Sequence, residues 1–220
     1  IIMTLRNLSL VLGLSSTLAL VAQQDNVHPC GANDLGKLER FHHNDPAELA
    51  RIEAAEAELE AFTREFAGEE RGGTAYIIPV VFHIIHNNGP ENISDEQVFD
   101  AVRVLNDDFN KLNSDWQNVN DAFLGIVANV GVEFRLARKD PQGNCTKGIT
   151  RTVSTLTNDG TQTMKDLIQW PRNKYLNVWV AASADGAAGY TYRPGAVSNW
   201  PEADGIVLLQ FTIPESEPVA

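Results

Sequence analysis

Cysteine is nearly absent: Cys30 and Cys145 are the two in 220 residues, too few for a disulfide scaffold or a multi-cysteine zinc module. Basic residues are also scarce. Lys and Arg number 17 against 29 Asp and Glu, a net charge of -12. Such a surface does not displace counterions from a phosphate backbone and does not adsorb to anionic lipid, so neither nucleic acid nor a membrane fits as a partner. No apolar run reaches the roughly 20 residues of a membrane-spanning helix. The chain carries no H-E-x-x-H, no G-x-S-x-G, no P-loop and no G-x-G-x-x-G. By residue chemistry alone it holds no complete active site. What is present is an ordinary globular balance, 43% hydrophobic and 21% charged, enough for a real core in one domain.

The first 24 residues read as a leader. After Met3 and Arg6 comes a short apolar run over 8–21, then small residues near Ala19 and Ala22 and a polar Gln23-Gln24, the pattern of a secretory signal peptide. The expectation is an exported, extracellular protein. Residues 25–71 form a polar, acidic pre-segment. Asp45-Pro46 opens a helix in it: Asp45 caps, Pro46 suits the first turn and Glu48 completes the capping-box spacing. Leu49, Ile52, Leu59, Phe62 and Phe66 fall near one stripe. Gly68 and Gly72-Gly73 end it, and 69–73 reads as an exposed linker with a trypsin-like cut site at Arg71. Two readings fit: a removable pro-segment, or a helical element packed permanently on the domain.

From residue 72 to 220 the pattern is α/β, a mixed sheet with backing helices. Residues 76–85 are β-rich and apolar with little alternation, the mark of a strand covered on both faces. Ser94 with Gln97 caps a helix carrying Val98, Ala101, Val102, Leu105, Phe109 and Leu112. Val132, Phe134 and Leu136 alternate with polar neighbours as a second strand, and 140–143 turns. A short helix is expected over 164–170, ended by Pro171. A third strand follows at 176–180 and a fourth at 205–211.

Candidate metal ligands do not converge. His83 and His86 lie three apart on a strand and point to opposite faces, so ring nitrogens satisfied by hydrogen bonds fit better than a shared ion. His42 and His43 are adjacent and diverge as well. Asp107-Asp108 and Asn110 sit on a helix and lack the terminal Glu of a calcium loop. Asn92-Ile93-Ser94 and Asn144-Cys145-Thr146 match the glycosylation acceptor triplet, a signal of low specificity.

The order of segments carries more. Ile78-Pro79-Val80-Val81-Phe82-His83-Ile84-Ile85-His86, Ile93-Ser94-Asp95-Glu96-Gln97, Leu105-Asn106-Asp107-Asp108-Phe109-Asn110, Gly148-Ile149-Thr150-Arg151 and Lys174-Tyr175-Leu176-Asn177-Val178-Trp179-Val180 resemble, in order and spacing, the pappalysin family of metzincin zinc proteases. Asp140-Pro141-Gln142-Gly143-Asn144, Ala188-Gly189-Tyr190 and Asp204-Gly205-Ile206-Val207 complete the series. The resemblance implies a metzincin-like upper catalytic subdomain over 72–220. It implies a zinc cofactor, calcium in the complete protein, and a protein or peptide substrate hydrolysed by zinc-activated water. The family's zinc-binding helix would come next, and these 220 residues contain no counterpart, so no zinc ligand or general base is carried over. By the same resemblance Gly205, Ile206, Val207 and Leu208 form the edge strand that pairs with bound peptide.

His28-Pro29-Cys30-Gly31 resembles the cysteine switch of metzincin zymogens, in which a pro-segment thiolate, here Cys30, occupies the open zinc position. A Cys30–Cys145 disulfide is the rival reading in an exported chain. The tail 210–220, with two prolines and alternating Glu, departs from the family, and with Ile1-Ile2 ahead of Met3 it reads as a truncated or frameshifted reading frame. Two functions follow. One is the N-terminal portion of a secreted zinc metalloendopeptidase zymogen, inactive by itself. The other is a non-enzymatic exported peptide-binding or inhibitory module that lost the zinc helix.

Overall fold

A computed structural model of the chain describes residues 45–65, 76–198 and 200–213. Its elements in chain order are helix α1 (Pro46–Glu65), strand β1 (Tyr76–His86), helix α2 (Asp95–Phe109), strands β2 (Val132–Leu136) and β3 (Ile149–Val153), and short helix α3 (Gln162–Lys165). Strands β4 (Leu176–Ala181) and β5 (Gly189–Thr191), helix α4 (Pro194–Val197) and strand β6 (Ile206–Leu209) complete them. The architecture is the expected mixed α/β sheet with backing helices.

β1 is the organising strand. Its apolar run is buried from Val80 onward because it is covered on both faces and paired on both edges. On one edge β2 pairs with residues 76–80 and β3 continues the line along 82–86, both parallel to β1. On the other edge lies β4, parallel, followed by β6, parallel, and then β5, antiparallel.

The two faces hold separate cores. Val80, Phe82, Ile84, Phe134, Val178 and Val180 pack beneath α2 through Val98. Ile85, Trp179, Val207, Leu209 and Tyr190 pack on the opposite face with Met164, Ala196, Val197 and Ile52. α2 starts where the sequence places it: the Ser94 hydroxyl accepts from the Gln97 amide at 3.1 Å and the Gln97 side chain accepts from the Ser94 amide at 3.0 Å. Farther along α2, the Asn106 side chain donates to the Phe134 carbonyl and accepts from the Phe134 amide, both at 2.8 Å. Asn110 donates to the Val132 carbonyl at 3.0 Å. These asparagines satisfy the outer edge of β2, which would otherwise present unpaired backbone groups.

Several expectations need correction. The strand 206–209 is not an edge: β4 occupies one side and β5 the other, so its backbone groups are already paired. The outer strand is β5. Residues 210–212 form a 3₁₀ turn rather than extending β6. The short helix covers 162–165 rather than 164–170. Helix α1 forms as expected, with the Asp45 carboxylate accepting from the Ala47 amide at 2.9 Å. Among the described residues of its stripe, Ile52 is buried, Leu49 half-buried, and Leu59 and Phe62 exposed; Phe66 lies outside the described residues.

Candidate functional site

At the centre of the sheet, three strands and a loop meet around His83. Asn177 of β4 donates from Nδ2 to the Trp170 carbonyl at 2.9 Å and accepts the Trp170 amide on Oδ1 at 2.8 Å. That pair fixes Oδ1 as the atom facing His83 Nε2, 2.9 Å away. Nε2 therefore carries the proton, and Nδ1 accepts from the Thr150 hydroxyl of β3 at 2.8 Å. Burial pushes the His83 pKa down to about 4, with the Asn177 hydrogen bond opposing it. His83 is thus a neutral, fully satisfied core residue, and His86 lies apart at the strand end, accepting from the Asn88 amide at 3.3 Å.

On the side of β6 and β5, Lys165 is wholly buried. Its ammonium donates to the Ala203 carbonyl and lies 4.9 Å from the centre of the Trp179 ring and 5.6 Å from that of Tyr192. Burial lowers its pKa to about 8 against the raising effect of Asp204, Asp166 and Glu202. Enclosed under two rings, the amine reaches no solvent; it pins the turn before β6 and supports the floor beneath β5.

Gly205 immediately precedes β6 with φ +117, and a Cβ there would stand 2.5 Å from the Trp179 ring and 2.7 Å from the Asn177 carbonyl. Its carbonyl accepts from the Thr191 hydroxyl at 3.0 Å, tying β5 to β6. Ile206 and Leu208 turn to the α2 face and are half-buried, while Val207 and Leu209 are buried on the other. Of the four residues expected at a peptide-binding edge, Ile206, Val207 and Leu208 pair with β5. A cavity of about 290 Å³ opens near Gly205, at the start of β1 and β4, lined by Pro79, Lys174, Tyr175 and an Arg172–Asp204 ion pair at 3.1 Å.

The outer strand beyond β6 is Gly189-Tyr190-Thr191. Tyr190 is buried with its hydroxyl donating to the Gly160 carbonyl at 2.9 Å, which anchors the strand from below. The reversal leading to it is Asp185-Gly186, both left-handed at φ 53 and 80, between the bridged Ala184 and Ala187. That is the pairing of a type I′ turn, and an Asp-Gly dipeptide was the available signal for it.

Cys30 lies outside the described residues, and Cys145 is exposed in the 137–148 connection. Among the described residues no group of three or more His, Cys, Asp or Glu side chains could hold a metal. The described side chains thus do not by themselves form a zinc centre.

No family model matches the chain, and no curated protein matches it. Solved structures do. A mutant promirolysin of Tannerella forsythia is 30% identical, matching 86% of this chain and 62% of that chain with a TM-score of 0.70. Mature Tannerella forsythia mirolysin in complex with a cleaved peptide is 35% identical over 66% of this chain and 57% of that one, TM-score 0.60. Mirolysin in complex with compound 9 gives 35%, 66% and 56%, TM-score 0.59. This chain spans about six-tenths of the length of the structures it matches. The chain is thus similar in fold and sequence to part of mirolysin and of promirolysin.

Proposed function

We propose that the chain is the N-terminal portion of a secreted, pappalysin-like zinc metalloendopeptidase zymogen: signal peptide over 1–24, pro-segment over 25–71 and upper catalytic subdomain from 72. The observation that carries this reading is a difference in coverage. The zymogen matches 86% of the chain and the mature enzyme 66%. The fifth of the chain that separates them is the size of 25–71.

A second feature agrees. On the α2 face, Leu176, Ile206 and Leu208 are only half-buried, whereas the opposite face of the same strands is closed. An apolar strip of that kind suits a further helix of the complete protein. In the complete enzyme the outer strand β5, rather than β6, would lie beside an extended peptide. Zinc in that enzyme would polarise the scissile carbonyl and activate water. The 220 residues contain no H-E-x-x-H to hold it, so the chain alone does not hydrolyse peptides.

The test is a quenched-fluorescence peptide assay on the purified chain with added zinc, with and without a chelator. No chelator-sensitive hydrolysis is expected. Such hydrolysis would mean that these residues complete a metal centre, and the reading would fall.

A further inference from the structure

Among the described residues, helix α1 makes its main contact with the domain at the short helix α4. Ile52 enters the core beside Ala196 and Val197, and one turn later the Glu56 carboxylate accepts from the Gly195 amide at 3.0 Å. The approach is close enough to be decided by a single missing atom. A Cβ on Gly195 would lie 2.9 Å from the Ile52 carbonyl oxygen, 3.0 Å from Glu56 Oε1 and 3.2 Å from Glu56 Cγ. Those three nearest atoms all belong to α1. Gly195 also sits inside α4 without a left-handed φ, so α4 by itself would accept alanine readily. The glycine is therefore required by the helix docked on it and not by the segment that contains it.

We propose that α4 is a docking seat for residues 46–65 and that Gly195 sets its fit. Among the described residues of α1, Ile52 is the one buried side chain, while Leu59 and Phe62 are largely exposed. Order in α1 depends on the turn from Ile52 to Glu56 resting against Gly195. The seat's partner is thus this chain's own pre-segment. Calling the contact a latch on a zymogen rests on the proposed function, while the contact itself does not.

The test is hydrogen–deuterium exchange on the intact 220-residue chain, comparing wild type with Gly195→Ala and Glu56→Ala. In wild type, the amides around 52–58 are protected. Gly195→Ala accelerates their exchange about tenfold or more, the consequence of an overpacked contact, and leaves β1, β4 and β6 unchanged. Glu56→Ala, which alters only α1, accelerates the same amides about threefold or more through loss of one hydrogen bond. If Gly195→Ala loosens the whole domain, acceleration confined to α1 in Glu56→Ala still supports the seat. Equal exchange of α1 in all three proteins overturns it, as does a Glu56→Ala variant whose α1 exchanges like wild type. A failure of the peptidase reading leaves these results untouched, because no activity is measured.

Discussion

Acidification isolates the contribution of His83. Its pKa is about 4 in the fold against 6.5 for a free histidine, because burial disfavours the imidazolium. A folded pKa below the unfolded one means that the unfolded chain binds more protons between these values. The stability tied to neutral His83 is therefore fully present above pH 6.5, is lost as pH falls toward 4, and changes no further below that. Between pH 7 and 4.5 the loss is about 2.5 kcal/mol, from 1.36 kcal/mol per pKa unit. That is a sizeable share of the roughly 5–15 kcal/mol a domain has. Urea denaturation at pH 7, 5.5 and 4.5 measures it, with His83→Gln as the comparison. The glutamine variant is less stable at pH 7 because it cannot satisfy Thr150 and Asn177 with the same geometry, but its stability should fall by about 1 kcal/mol or less over the same range. The carboxylates of Glu91 and Asp95, whose pKa values are lowered, lose their contributions at lower pH. A wild-type profile flat from pH 7 to 4.5, or an equal slope in both proteins, refutes the assignment of a neutral buried His83.

Other perturbations act at separate places. Lys165, with a pKa of about 8 in the fold against 10.5 free, gives the opposite end of the scale: stability rises by about 2 kcal/mol between pH 7 and 9.5 and Lys165→Met removes that rise, both read by denaturation. Gly205→Ala drives a methyl into the Trp179 ring at a positive φ and costs about 3 kcal/mol or prevents folding, visible as a lowered thermal midpoint or insoluble expression. Ser94→Ala removes the cap of α2 and costs about 1 kcal/mol by the same denaturation assay.

The elements legible in the sequence were those whose burial covers many consecutive residues. β1 announces itself because both its faces and both its edges are covered, so seven residues from Val80 are buried in a row. α2 shows through its capping box and its apolar period, and β4 through Val178 and Val180 on one face with Trp179 on the other. The short strands were hidden. β3 hides its alternation because Arg151 interrupts the face that carries Ile149 and Val153, and the three-residue β5 owes its place to the Asp185-Gly186 reversal rather than to its own side chains. Missing β5 led directly to the misplacement of the sheet edge at 206–209, since the strand order then ended one strand early.

Half of the central cluster was also legible. The wrong facing of His83 and His86 argued against a shared metal, and satisfied ring nitrogens followed for His83. Its partners Thr150 and Asn177 lie 67 and 94 residues away, on strands brought together only by the parallel crossovers, and no local pattern marks them. The burial of Lys165 was likewise invisible, because it depends on Trp179 and Tyr192 closing over a residue that otherwise reads as the polar end of a helix. For α1, periodicity gave the stripe but not its extent of burial, which depends on tertiary contact at Ile52.

The most direct test of the central claim is to read the gene through and beyond the codon for Leu209 in all three frames. The zymogen account predicts an H-E-x-x-H-x-x-G-x-x-H segment in one of them, followed by a Met-turn. A verified stop after Ala220 with no such segment in any frame would contradict it and leave peptide binding as the function to measure.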